Sequence, residues 1–175
     1  PQSMLYFLPK AESPEKQNAL ITRCLNLISL LGLIFALCLL IFRKPIATLF
    51  NNPALEKLLI LYALYPIFLF VTQFFSSVML GLKQPFKAAT FTIFAIIADF
   101  ILIVGSAFLT RNLTIIVCGV ISSAFLQWLY ARISLAKFKA KETRFDLGSF
   151  KTLMSYSLPL GLSSIIGMLS IQLDK

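Results

Sequence analysis

The sequence predicts an all-α polytopic membrane protein, a bundle of five transmembrane helices. Three observations predict it. Five long apolar stretches, Cys24 to Phe42, Leu58 to Leu82, Ala88 to Leu109, Leu113 to Ala131 and Leu153 to Leu173, contain a single acidic or basic side chain, Asp99. Each has about the 20 residues that a helix needs to cross the hydrocarbon core. Backbone amides in lipid must bond within their own segment, and the alternating strands of about 10 residues that a barrel would need are not visible. Composition agrees: 58% of residues are hydrophobic, 13% are charged and the mean hydropathy is +0.87. Such a chain cannot interleave charge on its helix faces as a soluble fold does. The net charge of +9 therefore belongs to its turns, and a nucleic-acid partner is excluded.

The elements follow in order. Residues 1–18 read as the end of a preceding helix and a loop: Met4 to Leu8 is apolar, Pro9 stops it, and Ala11 to Gln17 is polar. Residues 19–131 read as four transmembrane helices. The first starts near Ala19 and ends before Arg43-Lys44-Pro45, where two cations and a proline mark a stop. Asn51-Asn52-Pro53 is a turn signal. The second helix carries Pro66, which removes a backbone bond and kinks it. Lys83-Gln84-Pro85 and Thr110-Arg111-Asn112 are turns so short that the helices they join must be antiparallel neighbours. Residues 132–152 form a basic loop, and 153–175 a fifth helix with Pro159 near its start. The chain begins at Pro1 with no leader pattern and stops at Asp174-Lys175 directly after that helix, so a fragment of a longer protein is expected.

Alternating crossings place residues 1–18, the second-to-third helix turn and the 132–152 loop on one side. That side holds eleven of the 16 Lys and Arg residues. Arg43, Lys44, Lys57, Arg111 and Lys175 are left for the other. The positive-inside bias makes the richer side cytoplasmic, with the N-terminal end inside. The basic loop is expected along the anionic leaflet, with Trp128 and Tyr130 at its membrane end as interfacial aromatics.

Asp99 is the sharpest chemical signal, because a carboxylate at bilayer depth costs at least about 2.5 kcal/mol and should face protein or water. Thr92 and Ser106 lie seven residues to either side and extend a polar stripe. Two readings stay open: a proton, cation or substrate site, or an acid that fixes helix packing. Arg23 opens the first helix and Asn26 and Ser29 continue its face. Arg23 is either a headgroup anchor or a cavity-mouth cation able to bind a phosphate bidentately. Gln73 lies with Tyr62, Tyr65 and Ser76 on one face, and Gln127 with Gly119 and Ser123 on another. Such stripes serve helix association or wall a hydrated cavity. The candidate cavity or coupling residues are thus Asp99, Arg23, Asn26, Gln73 and Gln127. The chain has no His, no paired acids at catalytic spacing and no phosphate-binding glycine loop, so neither an enzyme nor a cofactor or metal is expected. Cys24, Cys38 and Cys118 all fall in apolar stretches and read as packed thiols.

Three stretches carry a family resemblance: Tyr6-Phe7-Leu8-Pro9-Lys10, Leu80-Gly81-Leu82-Lys83-Gln84-Pro85-Phe86, and Tyr156-Ser157-Leu158-Pro159-Leu160-Gly161-Leu162 followed by Gln172-Leu173-Asp174-Lys175. They resemble the exit of helix two, the inner turn between helices four and five, and helix seven of bacterial polysaccharide flippases. These are the O-antigen or exopolysaccharide translocases of the multidrug/oligosaccharidyl-lipid/polysaccharide exporter superfamily. The resemblance implies helices three to seven of a two-lobe transporter of 12–14 helices in the bacterial plasma membrane. It implies a lipid-linked oligosaccharide substrate on a polyprenyl diphosphate carrier, with an ion gradient or the membrane potential as a candidate driving force. A drug/cation antiporter or a lipid II flippase of the same superfamily is the alternative, and a non-transport assembly or scaffold subunit is the alternative of another class.

Overall fold

The computed structural model describes residues 3–11, 13–110, 112–138 and 155, and every regular element among them is helical. α1 (Ser3–Lys10) ends one residue after Pro9. α2 (Pro14–Leu49) is a single helix of 36 residues, about 54 Å long at 1.5 Å per residue, longer than the hydrocarbon core of about 30 Å. α3 (Ala54–Tyr62) and α4 (Tyr65–Gly81) form a broken pair bent by 41°. α5 (Pro85–Asp99) passes through a π-helical turn, Phe100–Val104, into α6 (Gly105–Thr110). α7 (Leu113–Leu135) closes with a 3-10 turn, Ala136–Phe138. Among the described residues, three spans are long and apolar enough to cross a membrane: Pro14–Leu49, Pro85–Thr110 and Leu113–Phe138. The broken pair makes a fourth if it is one span. The fifth expected helix, 153–175, lies outside the described residues apart from residue 155.

Two expected ends of α2 are corrected. The helix starts at Pro14 rather than near Ala19, because Ser13 is an N-cap whose side chain accepts from the Lys16 amide, Pro14 needs no amide bond in the first turn, and Glu15 suits the positive helix end. It also runs through Arg43-Lys44-Pro45 to Leu49. Pro45 sacrifices one bond to the Ile41 carbonyl near the end of the span, where a freed carbonyl is cheaply solvated. Arg43 then reaches Glu56 of α3, with Nε 3.3 Å from Oε1. The turn that follows passes through Asn51, whose φ of 48° is left-handed. In the second expected helix, Pro66 breaks rather than kinks: it has no N–H for the Tyr62 carbonyl and its ring collides with it, so α3 ends at Tyr62.

α4 is the central helix, touching α1, α2, α5 and α7. Because lipid tails are as apolar as leucine, close packing rather than water exclusion holds such helices together. The fit is tightest at glycines. A Cβ on Gly32 of α2 would stand 3.1 Å from the Pro66 carbonyl and the Ile67 Cα of α4, and one on Gly81 would stand 3.0 Å from the Met4 carbonyl. Around them Met4, Leu8, Ile21, Val71, Phe74, Phe75, Val78 and Met79 are buried, forming a core near one end of the bundle. Trp128 and Tyr130 join that end from α7. Tyr130 packs on Phe75, Phe91 and Phe94, and Trp128 on Phe68 and Phe125.

Candidate functional site

Asp99 sits at the last residue of α5, immediately before the π turn, and its carboxylate is tied to α7. The Ser123 hydroxyl donates to Asp99 Oδ1 at 2.5 Å and the Gln127 amide donates to the same oxygen at 3.0 Å. Gln127 Nε2 also lies 3.1 Å from Ser123 Oγ, closing a triangle. Ser123 is fully buried and Asp99 and Gln127 are half-buried. Hydrogen bonds to a charged acceptor are worth about 1.5–3 kcal/mol each. Two of them match the cost of about 2.5–3.5 kcal/mol for an acid at the centre of a membrane helix. Both partners are neutral donors, and Oδ1 is their common acceptor.

The local chain explains the placement. Ser123 and Gln127 are one helical turn apart on α7 and so share a face. Gly119, one turn earlier, lets the two helices meet: a Cβ there would stand 2.5 Å from the Leu102 carbonyl of the π turn and 2.8 Å from Ser106 Oγ. A π turn carries an extra residue and is frequent at functional sites. α4 opens with Tyr65. It stacks on Tyr62 across the helix break, with ring centroids 5.0 Å apart.

Of the five expected site residues, the fold brings together two, Asp99 and Gln127. Arg23 is half-buried on α2, and its Nε has no hydrogen-bond partner among the described residues. Asn26 is exposed on the same helix. Both lie off the face defined by Ile21, Leu25, Gly32 and Ala36 that packs on α4. Gln73 is exposed on α4. Thr92 does not continue the stripe toward α7. Phe91 and Ala98 take the buried face of α5, leaving Thr92 exposed with its hydroxyl donated to the Ala88 carbonyl. Ser106 does face α7, where it meets Gly119. Sequence reasoning missed Ser123 as a neighbour of the acid. The four-residue repeat of Gly119, Ser123 and Gln127 was the available signal. Among the described residues no three His, Cys, Asp or Glu side chains cluster as a metal site would require. Cys24 is buried in a helix interface, and Cys38 and Cys118 are exposed on apolar helices.

These features define a multi-pass helical membrane protein with a hydrogen-bonded acid between two of its spans. The sequence profile of the family described as polysaccharide biosynthesis protein matches residues 2–175. The chain belongs to that family, the polysaccharide flippases of the multidrug/oligosaccharidyl-lipid/polysaccharide exporter superfamily. No curated protein and no solved structure matches it significantly.

Proposed function

We propose that the protein acts in the bacterial plasma membrane as part of a two-lobe flippase, carrying a polyprenyl-diphosphate-linked oligosaccharide from the cytoplasmic to the outer leaflet. The N-terminal end of this chain is cytoplasmic, as the distribution of Lys and Arg argues. The observation that carries the reading is an acid held between α5 and α7 by Ser123 and Gln127, in a chain that matches the polysaccharide biosynthesis family from residue 2 to 175. Asp99 is the coupling residue. Discharging its carboxylate with a proton or cation replaces two charge-assisted bonds to α7 by neutral ones and so lowers the cost of shifting α5 against that helix. Arg23, Asn26 and Gln73 lie on helix faces not packed in the core and supply polar contacts for the headgroup and glycan, while the lipid tail stays in the bilayer.

Deletion of the gene tests this reading. The expected result is loss of a surface glycan, with its lipid-linked precursor retained on the cytoplasmic leaflet and sensitivity to cationic dyes unchanged. Normal glycan with raised dye sensitivity overturns it in favour of the drug/cation antiporter. Retention of peptidoglycan precursor instead would favour the lipid II flippase. Loss of glycan with the precursor already on the outer leaflet would favour a scaffold subunit.

A further inference from the structure

Two neighbouring helices have their weak points at the same level. In α2 it is the turn from Ser29 to Gly32: the Ser29 hydroxyl donates to the Leu25 carbonyl at 2.8 Å, in competition with the helix bond there, and an interior glycine holds a helix poorly. In the α3–α4 pair it is the break at Ala63 and Leu64, where Pro66 leaves the Tyr62 carbonyl without its helical bond. The two points touch. A Cβ on Gly32 would stand 3.1 Å from the Pro66 carbonyl and the Ile67 Cα, so backbone meets backbone there.

Beyond that level the packing changes. Among the described residues, the buried cluster at the other end of the bundle draws none of its members from residues 29–70. Past Gly32, α2 buries only Ala36 and Ala47, and α3 buries nothing. Leu33, Phe35, Leu37, Ile41 and Phe42 are all exposed. What α3 does have is a tie to α2: the helices pack on one another, and Arg43 Nε lies 3.3 Å from Glu56 Oε1. It also rests on α7.

We propose that residues 33–49 of α2 swing together with α3 as one arm, about the line through Gly32 and the Ala63–Leu64 break, opening and closing the outer end of the bundle against α7. The inference rests on the flippase reading above, which puts the Asn51 turn on the outer side, and adds to it a moving part through which cargo leaves on that side. Hinges are a few residues that absorb the change while the elements between them stay rigid. Arg43 and Glu56 hold the two halves of the arm together. Pro66 keeps the break open, since an alanine there would supply the missing amide and let α3 and α4 join.

From Gly32 to Leu49 is about 25 Å along a helix, so a swing of about 15° carries the tip about 6 Å. Spin-label distances test it, on cysteine pairs in a cysteine-free version of the full-length protein in liposomes. Lys57→Cys with Asn112→Cys reads the arm against the start of α7, and Lys44→Cys with Lys57→Cys reads within the arm; all three positions are exposed. The first pair should give two distances about 6 Å apart, and the second a single one. Pro66→Ala should collapse the first pair to one distance and lower surface glycan about tenfold, with no fall in melting temperature. Arg43→Gln should broaden the second pair while melting stays at the wild-type value, a readout that does not depend on how Pro66→Ala folds. One distance for the first pair in the wild-type background, or a second pair that splits along with it, overturns the proposal whatever the variants do. Failure is separable from that of the transport reading. Precursor retained in the deletion strain, with one distance for the first pair, removes the arm alone. Two distances without precursor retention remove the transport reading and keep the arm.

Discussion

The Leu102 carbonyl occupies the space that a side chain on Gly119 would need, 2.5 Å from an ideal Cβ. α7 and the π turn of α5 therefore meet backbone to backbone. The contact sets the register of two antiparallel helices, and the register places Ser123 and Gln127, on the next two turns of α7, beside Asp99. A helix contact and a polar site are thus one arrangement. Widening the first loosens the second.

Gly119→Ala should lower stability by about 1–3 kcal/mol, the usual cost of forcing an extra carbon into a packed interface. The obstacle is backbone on one side, so it cannot be relieved by a change of rotamer. Gly105→Ala is the control: nothing lies within 4 Å of its Cβ and its φ of −59° is helical. It should be neutral or gain up to about 1 kcal/mol from helix propensity. Melting of the purified protein in detergent distinguishes the two; equal melting temperatures would count against the close contact.

Ser123→Ala and Asp99→Leu should not be additive, because each removes one end of the same bond. Interhelical hydrogen bonds in membranes average well under about 2 kcal/mol, but this one is short and ends on a carboxylate, which strengthens it. A double-mutant cycle on unfolding free energies should return a coupling of about 1–2 kcal/mol. A value near zero would mean that the two side chains do not share a bond.

The helical class, the positions of the first four apolar segments and the presence of a lone intramembrane acid were readable from apolar length alone. The ends of α2 were not. Ser13-Pro14-Glu15 is polar and looks like loop, although its composition is that of a capped helix start. Pro45 looks like a stop because its cost depends on whether the Ile41 carbonyl can be solvated, which is a matter of depth. The site divides in the same way. Gln73, Asn26 and Gln127 are all polar residues on stripes of apolar helices. What singles out Gln127 is the register that Gly119 allows, and that belongs to the packed pair rather than to either helix.

The orientation can be checked at two turns that the structure exposes. In a cysteine-free version of the full-length protein, Lys83→Cys should be shielded from an impermeant thiol reagent in intact cells and become reactive on permeabilisation. Asn112→Cys should label in intact cells. Both residues are exposed and sit in turns between neighbouring helices. The reverse pattern would invert the topology argued from the cation bias.

Asp99→Asn separates charge from shape at the proposed coupling residue. Asparagine keeps an oxygen where Oδ1 stands, so Ser123 and Gln127 retain an acceptor and α5 remains docked on α7. What is lost is the negative charge and, with it, the ability to load a proton or a cation between two states. Expression and melting temperature should therefore stay close to wild type, within about 1 kcal/mol of stability, since neutral bonds replace charge-assisted ones. Surface glycan assembly should fall at least about tenfold, equivalent to some 1.4 kcal/mol on the limiting step. Asp99→Leu, which removes the acceptor as well, should also melt earlier, because it strands the buried Ser123 hydroxyl. Wild-type glycan levels in stable Asp99→Asn cells would leave the carboxylate with a packing role only, and the driving force would have to enter elsewhere.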